Sequence, residues 1–517
     1  MTHAVLAVDQ GTTNTKALLI DSTGTVIVKA SRPMAVQHPR PGWVEQSADA
    51  IWSSVVESVG ECLAGRPEAT IAAIGISNQR ESVLLWDRKS GRAVGPCVTW
   101  QCRRSAARLD GLREPGLQRT ICRKTGLPLD PLFSAAKIAW LLDSAPGLRD
   151  RARRGELCAG TVDSWLVFNL TGRQVHATDV GNASRTQLLD IDRRQWDSEL
   201  TALFDVPASV LADVRPSDSV FGATGGGLPL RKGIPILAVM GDSHAALFGQ
   251  GVRKPGKVKA TYGTGTSLMT LTGRSRASSH GLSTTIAWAR GKDPAYALEG
   301  NISVSGQVAA FMRELLGLQD EDALAALAQT VPSSGGVCCV PAFAGLGAPY
   351  WRDDVRGLIT GLSLATKPAH VARAALEAIT LQIRDVFTAM EADLGARIDE
   401  LSADGGASRN GLLMQLQADV LNRPVRRNSV VELSAVGVGL MAGVGGGLWG
   451  EEEAGALFQD EPVQFHPRMS AEERDGIVSV WSAAIRRVLG AERSASDLQG
   501  GAPASKGARA PTLPGPA

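Results

Sequence analysis

Three short glycine-rich loops carry residue types that bind phosphate. They are residues 9–16 (DQGTTNTK), residues 263–266 (GTGT) and residues 404–408 (DGGAS). Glycine lets a phosphate approach the backbone, and threonine hydroxyls and backbone N–H groups can hold its oxygens. In the first loop Asp9 can hold Mg²⁺ directly or through water, and Lys16 can supply a cation. Each loop alone is equally compatible with a polar turn, but three together favour nucleotide binding.

A carboxylate follows an apolar run near the middle of the chain. Asp242 comes after residues 236–240 and Gly241, at the expected carboxyl end of a strand, where a general base is well placed. Aspartate is also a favoured N-cap, and a helix is expected to start at Ala245. From the residues alone the cap is the better interpretation, and His244 is expected to be a packed or solvent-facing helix residue.

Two adjacent opposite charges lie between apolar segments. Arg80 and Glu81 follow the polar residues 77–79 and precede a strand predicted at residues 83–86. As part of a site they offer a donor and an acceptor to a polyhydroxyl ligand, whereas the alternative is a surface ion pair. The residues alone leave both possibilities open.

The elements that must position these groups are strands that end at the loops. Apolar runs predict strands at residues 4–8, 17–20, 25–28, 71–76, 83–86 and 236–240. The first three form a meander rather than a strand-to-helix phosphate loop. Apolar residues at helical spacing predict a helix over residues 371–390 with Gly395 as its C-cap, and a second helix opening after Asn410.

The two acidic glycine-rich loops, at Asp9 and Asp404, resemble one another and lie in different halves of the chain. This weak echo predicts a duplicated α/β fold with a nucleotide between the halves. We place an N-terminal domain at residues 1–250 and a C-terminal domain at residues 251–492. The remainder, residues 493–517, is rich in Ala, Gly, Pro and Ser and is expected to be a disordered tail.

Composition excludes several classes of protein. Lys and Arg number 54 and Asp and Glu 52, so the net charge of +2 indicates no nucleic-acid or membrane surface. The 7 cysteines form no C-x-x-C pair, and no signal peptide is recognisable, which favours a reduced, cytoplasmic protein. The longest apolar stretch, residues 435–450, is glycine-rich and is expected to be a buried helix that packs closely on a neighbour.

Segments along most of the chain, in the same order, resemble those of glycerol kinases of the FGGY carbohydrate kinase family. The resemblance runs from about residue 4 to about residue 490 and leaves out the tail. Its segments are residues 9–16, 42–46, 75–87, 100–104, 160–172, 182–186, 241–251, 261–265, 340–351 and 404–421. Residues 133–140 and 357–377 resemble the two signature segments of the wider family.

The resemblance implies two actin-like (ribonuclease H-like) domains with the active site in the interdomain cleft. It implies ATP-dependent phosphorylation of a terminal polyol hydroxyl, with Asp242 as the base and Asp9 near Mg²⁺. Its polyol-site positions correspond here to Arg80, Glu81, Trp100, Leu132, Asp242, Ser243 and Ser267. Its nucleotide-site positions correspond to Thr12, Thr13, Asn14, Lys16, Thr264, Gly306, Ala310, Gly406 and Asn410. Homodimers or homotetramers are common in the family.

The chain departs from glycerol kinases mainly in the polyol pocket. Leu132, Ser243 and Ser267 stand where those enzymes have Tyr, Gln and Phe, while Lys16 and Ala310 replace Arg and Gln near the nucleotide. The resemblance makes phosphorylation of glycerol to glycerol 3-phosphate the leading interpretation. The pocket changes remove volume and an aromatic wall, which gives the alternative hypothesis that a four- or five-carbon polyol or ketose is a better substrate than glycerol. A non-catalytic, actin-like nucleotide switch is a third possibility, but a switch has no use for a polyol pocket.

Overall fold

The computed structural model describes residues 3–226, 229–428, 430, 432–457 and 462–499. Helix α15, defined below, includes the first residues of the predicted tail, and residues 500–517 of that tail lie outside the described residues.

The first half of the chain alternates strands with helices. Its strands are β1 (His3–Gln10), β2 (Asn14–Asp21), β3 (Val26–Pro33), β4 (Glu45–Gln46), β5 (Thr70–Asn78), β6 (Val83–Asp87), β7 (Cys97–Val98), β8 (Leu157–Thr161), β9 (Ala177–Asp179), β10 (Leu189–Asp190), β11 (Gln195–Trp196), β12 (Asp213–Arg215), β13 (Gly222–Ala223) and β14 (Pro235–Gly241). Its helices are α1 (Ala48–Ala64), α2 (Pro115–Thr125), α3 (Ser134–Leu142), α4 (Leu148–Arg153), α5 (Val162–Leu170), α6 (Val180–Ser184), α7 (Ser198–Leu203) and α8 (Asp242–Gly249).

The second half has the same alternation. Its strands are β15 (Lys257–Tyr262), β16 (Thr266–Leu271), β17 (Ser283–Arg290), β18 (Asp293–Ile302), β19 (Cys338–Val340), β20 (Leu358–Thr360), β21 (Glu400–Asp404), β22 (Val425–Arg427) and β23 (Val463–Phe465). Its helices are α9 (Gly306–Leu315), α10 (Glu321–Gln329), α11 (Pro368–Leu394), α12 (Gly411–Leu421), α13 (Leu433–Gly445), α14 (Glu451–Ala456) and α15 (Ala471–Gln499).

The first large sheet has the strand order β13-β14-β5-β1-β2-β3. Strands β1, β2 and β3 form the predicted antiparallel meander, and β1, β5 and β14 run parallel to one another. All six strands predicted from the apolar runs are present. Because Asp9 pairs with Ser77 and Gly241 pairs with Asn78, the carboxyl ends of the three parallel strands lie side by side.

The second large sheet repeats this arrangement with the order β17-β18-β16-β15-β21-β22-β23. Strand β15 turns back into antiparallel β16, as β1 turns into β2, and β15 is parallel to β21, as β1 is to β5. The counterpart of the Asp9 loop is therefore the turn at residues 263–265. The echo drawn between the Asp9 and Asp404 loops paired the wrong loops, because Asp404 ends the strand equivalent to β5.

Helices cover both faces of the first sheet. Helices α1 and α5 pack on one face, and α8 and α13 pack on the other. Helix α13 is the buried, glycine-rich helix predicted from residues 435–450, although it comes from the second half of the chain. It lies so close to α8 that a Cβ on Gly437 would collide with the carbonyl of Ala245. None of the described helices combines the length with the apolarity that crossing a membrane requires.

The helices predicted in the second half are confirmed. Helix α11 covers residues 371–390, and the left-handed Gly395 caps its carboxyl end. Asn410 caps α12, and its side-chain oxygen accepts a hydrogen bond from the Leu413 N–H at 3.1 Å. Both helices contribute to the core that covers one face of the second sheet.

Candidate active site

The carboxyl edge of the first sheet brings the predicted chemical groups together. Asp9 lies near the end of β1, Arg80 and Glu81 follow β5, and Asp242 follows β14. These positions are far apart in sequence, but parallel strands that are neighbours in a sheet place their carboxyl ends at one edge, where α/β proteins bind ligands.

Asp242 is the first residue of α8, and Gly241 is the N-cap. The predicted helix start at Ala245 was wrong by one turn, and Asp242 is not the cap. Its side chain keeps 37% of its exposure, and its Oδ1 accepts hydrogen bonds from Arg80 Nε at 3.2 Å and from the Ser243 N–H at 2.6 Å. The carboxylate is thus both held and accessible, as a general base must be.

Arg80 and Glu81 are buried and do not form the surface ion pair that was one of the two possibilities. Arg80 donates two hydrogen bonds to Glu299, at 2.9 and 2.7 Å. Glu81 instead accepts from Arg185 Nε at 2.6 Å, and Arg185 also forms an ion pair with Glu299 at 2.9 Å. We call Arg80, Glu81, Asp242, Arg185 and Glu299 the ion network.

Burial and neighbouring charges shift the pKa values of groups in and beside the ion network. Burial alone raises the pKa of Glu299, but the charges of Arg185 and Arg80 outweigh it and hold that pKa well below its usual range. His244 lies beside Arg80, and burial lowers the pKa of its imidazole well below the ordinary value. Its Nε2 lies 3.4 Å from Arg80, so the neutral ring fits as an acceptor. Of the two expected environments, packed or solvent-facing, His244 has the packed one.

Trp100 links the polyol-site residues to the first glycine loop. Its indole N–H donates to the Thr12 hydroxyl at 3.0 Å, and its backbone N–H donates to the Ser82 hydroxyl at 3.1 Å. Thr12 is also 3.4 Å from Gln79 Oε1, which accepts from Ser82 at 2.8 Å. The loop and the indole are therefore held in one hydrogen-bonded unit.

The other polar side chains of the first loop each have different contacts. The Thr13 hydroxyl accepts from the Asn14 side-chain amide at 3.3 Å. Lys16 forms an ion pair with Glu432 at 2.5 Å, so part of its charge is already neutralised. Burial raises the pKa of Asp9 to about 6, against a hydrogen bond from Ser77, and the Asp242 charge raises it further.

The second and third loops meet each other and the start of α9. The Gly306 N–H donates to the Gly263 carbonyl at 3.0 Å, and the Ser305 N–H donates to the Thr264 carbonyl at 3.0 Å. Gly405 has a φ of 90°, and a Cβ there would lie 2.5 Å from the Tyr262 carbonyl, so only glycine lets the loops approach this closely.

Four of the predicted nucleotide residues surround this meeting point. Thr264 and Gly406 are exposed, and Ala310 lies half-buried one turn into α9. Asn410 is at the end of the third loop, where its side chain caps α12. The surface that these residues share is formed by backbone and by small side chains.

The half-buried Gln250 and the buried Lys259 both lie near Asp404 of the third loop. Gln250, which follows α8, donates its side-chain amide to Asp404. Lys259 on β15 is fully buried, and the charges of Asp404 and Asp242 both act on it. Its ammonium has no hydrogen-bond partner among the described residues. Lys259 is therefore a cation beneath the site that the loop motifs did not reveal.

The three substituted pocket positions are partly exposed at the same edge. The Ser267 hydroxyl donates to Glu299 Oε1 at 3.0 Å, so its proton is already used inside the ion network. Ser243 follows Asp242 in the first turn of α8, and the Leu132 carbonyl accepts a hydrogen bond from Lys137. The Ser267 hydroxyl therefore has no free proton to donate to a substrate, although its oxygen can still accept a hydrogen bond.

Arg185 and Glu299 belong to the site, although the sequence motifs did not predict a role for them. Arg185 lies in one of the quoted segments, and Glu299 lies within β18, between Leu298 and Gly300. The available signal was a charged residue inside an otherwise apolar strand, because such a charge is rarely buried unless it is paired.

Comparison with known proteins agrees with this geometry. The N-terminal domain of the FGGY family of carbohydrate kinases matches residues 4–249, and its C-terminal domain matches residues 258–446. A curated glycerol kinase from Burkholderia multivorans is 46% identical over 487 residues, which cover 93% of this chain and 97% of that protein.

Solved structures have the same fold. A Plasmodium falciparum glycerol kinase with ADP has a TM-score of 0.89 at 30% identity, over 94% of this chain and 98% of that one. A xylulose kinase from Rhodospirillum rubrum has a TM-score of 0.82 at 25% identity, over 93% and 98%. The two-domain, actin-like α/β fold is confirmed. The chain belongs to the FGGY family of carbohydrate kinases and is an ATP-dependent kinase.

Proposed function

We propose that this kinase transfers the γ-phosphoryl group of ATP to a terminal hydroxyl of glycerol and so makes glycerol 3-phosphate. The observation that carries the proposal is the accessible Asp242 carboxylate, held by Arg80 beside the first glycine loop. The similarity to curated glycerol kinases over nearly the whole chain supports glycerol as the acceptor.

In the proposed reaction Asp242 accepts the proton of the terminal hydroxyl as that oxygen attacks the γ-phosphorus, and ADP leaves. Arg80 and Glu81 bind neighbouring hydroxyls, and the Trp100 ring lines the acceptor. The residues that would hold the phosphates are Thr12, Thr13 and Thr264. Phosphoryl transfer depends mainly on in-line positioning and charge stabilisation, so a rigid ion network suits it.

We further propose that Mg²⁺ accompanies ATP near Asp9. The Asp242 charge raises the pKa of Asp9, and a divalent cation between such carboxylates would relieve their repulsion. Among the described residues, no group of three or more His, Cys, Asp or Glu side chains could hold a metal ion. When bound, the ion neutralises charge on the phosphates.

The acceptor is tested by measuring kcat/KM for glycerol, erythritol, threitol, ribitol, xylulose and ribulose in an ADP-release assay. We expect glycerol to exceed the others. The opposing candidate is a longer polyol or ketose, favoured by Leu132, Ser243 and Ser267 at the pocket. A four- or five-carbon acceptor that exceeds glycerol would replace the glycerol proposal, and no acceptor-stimulated ADP release would favour a nucleotide switch.

The Gly406→Val substitution tests the nucleotide surface. A Cβ at Gly406 meets no atom within 4 Å, so the protein should fold normally. We expect ATP affinity to fall at least about tenfold, since the branched side chain occupies the space proposed for the nucleotide. Calorimetric titration with ATP measures this, and Gly406→Ala should have a smaller effect. Unchanged ATP affinity in the folded valine variant would remove this loop from the site.

A further inference from the structure

Lys137 on α3 is a fully buried lysine, and all the hydrogen bonds that its ammonium makes to described residues go to backbone carbonyls. It donates to the Glu81 carbonyl at 3.1 Å, to the Phe133 carbonyl at 3.3 Å and to the Leu132 carbonyl. These three acceptors lie in two separate segments of the chain. One segment contains Arg80 and Glu81, and the other contains Leu132, so both contribute to the proposed acceptor site.

The carbonyl of Glu81 needs such support because the backbone there is strained. Glu81 has a φ of 59°, in the left-handed region that non-glycine residues seldom adopt. Its carbonyl also accepts a hydrogen bond from the Ser134 hydroxyl at 3.2 Å. This conformation sends the side chains of Arg80 and Glu81 to different partners, Glu299 and Arg185. Two donors from α3 therefore hold the turn that builds the ion network.

We propose that Lys137 is a positioning residue that fixes the distance between the Arg80–Glu81 turn and the Leu132 segment, and thereby sets the affinity for the acceptor. The inference rests on the proposed function, because both segments matter only if the acceptor binds between them. Three N–H donors for three carbonyls require the charged ammonium, since a neutral amine has only two.

The surroundings make this requirement sensitive to pH. Burial lowers the pKa of Lys137 to about 8, although Glu81, Cys102, Asp130 and Cys97 oppose the shift. Above about pH 8 the amine therefore loses its proton, and one carbonyl of the three loses its donor. The KM for the acceptor should rise over this range in the wild-type enzyme, and the affinity for ATP should not.

The main test is Lys137→Met, which keeps the unbranched apolar stem of the side chain and removes all three donors. We expect KM for glycerol to rise at least about tenfold, because charge-assisted hydrogen bonds are lost, while ATP affinity stays unchanged. The matched control is Lys124→Met, which removes an ammonium that pairs with Asp197 and Glu199, each at 2.7 Å, in the same half of the chain. The control should leave KM unaltered.

The dependence on pH separates positioning from general loss of structure. Between about pH 7 and about pH 9.5, the KM of the wild type should rise. Over the same range, the KM of Lys137→Met should change much less. Should the methionine variant fail to fold, Ser134→Ala removes one donor to Glu81 and should raise KM in the same direction by a smaller factor. The proposal is overturned if KM changes no more in Lys137→Met than in the control Lys124→Met. If Lys137→Met does not fold, the same comparison is made with Ser134→Ala.

Hydrogen exchange gives a readout that does not need a substrate. The Ser82 N–H donates to the Arg80 carbonyl at 2.7 Å inside the strained turn, so its protection should fall in Lys137→Met and not in Lys124→Met. Unchanged protection of Ser82 overturns the positioning role. If the wild type phosphorylates no polyol, the proposed function fails, and the exchange experiment still decides whether Lys137 holds the turn.

Discussion

Replacing Asp242 with asparagine is expected to lower kcat by at least ~10², the lower end of what a general base contributes. The amide is isosteric with the carboxylate and can still accept from the Ser243 N–H, so the start of α8 should persist. What it loses is the ability to take a proton from the acceptor. The measurement is kcat at saturating ATP and glycerol.

Two further measurements show whether the effect of Asp242→Asn is confined to the acceptor side of the reaction. ATP affinity, measured by calorimetry, should change little in Asp242→Asn because the carboxylate faces the acceptor in the proposed reaction. The matched control is Asp213→Asn on β12, where the side chain is 78% exposed and lies in no proposed site. Near-normal turnover of a folded Asp242→Asn protein would show that this carboxylate is not the base.

The second large effect is expected from Glu299→Gln, which removes the shared partner of two buried arginines. Breaking a buried ion pair leaves uncompensated charge and typically costs ~3–5 kcal/mol in the free energy of unfolding. Arg80 would also lose its bidentate partner, so kcat/KM for the acceptor should fall. Urea unfolding measures the stability, and Glu451→Gln at the exposed ion pair with Arg290 is the control.

The pH dependence of stability gives an independent check on Glu299. Its pKa in the folded protein lies below the ordinary value of 4.5. The carboxylate therefore contributes stability that is fully present above its unfolded pKa and is lost as the pH falls toward the folded pKa. Wild type should lose stability below about pH 4.5 more steeply than Glu299→Gln. Equal slopes, or an unchanged free energy of unfolding, would contradict the role assigned to this residue.

Much of the fold could be predicted from local patterns. The six strands and α11 are recognisable because apolar runs and helical spacing report directly on burial. The start of α8 was misplaced because Gly241 and Asp242 both suit the first turn of a helix, and spacing does not distinguish them. The echo between the Asp9 and Asp404 loops misled because similar composition is not equivalent topology.

The residues of the candidate site also fall into a group that the sequence predicted and a group that it did not. Asp9, Arg80 and Asp242 follow predicted strands, and the structure brings them together by pairing those strands in parallel. Glu299 and Lys259 come from the interiors of strands in the other half, and their burial depends on how the two sheets face each other. Local sequence patterns do not report how the two sheets pack against each other. Lys259 and Glu299 were therefore identified as site residues only from the structure.

Helix α13 has a consequence for synthesis of the protein on the ribosome. It covers one face of the first sheet and meets α8 at Gly437, yet it is made after most of the second half. When the chain has been made only as far as Gln250, the apolar residues Val5, Ala7 and Met240 have no α13 to cover them. The first half therefore cannot complete its core before α13 has been made, and a fragment that ends at Gln250 is expected to aggregate or bind chaperones.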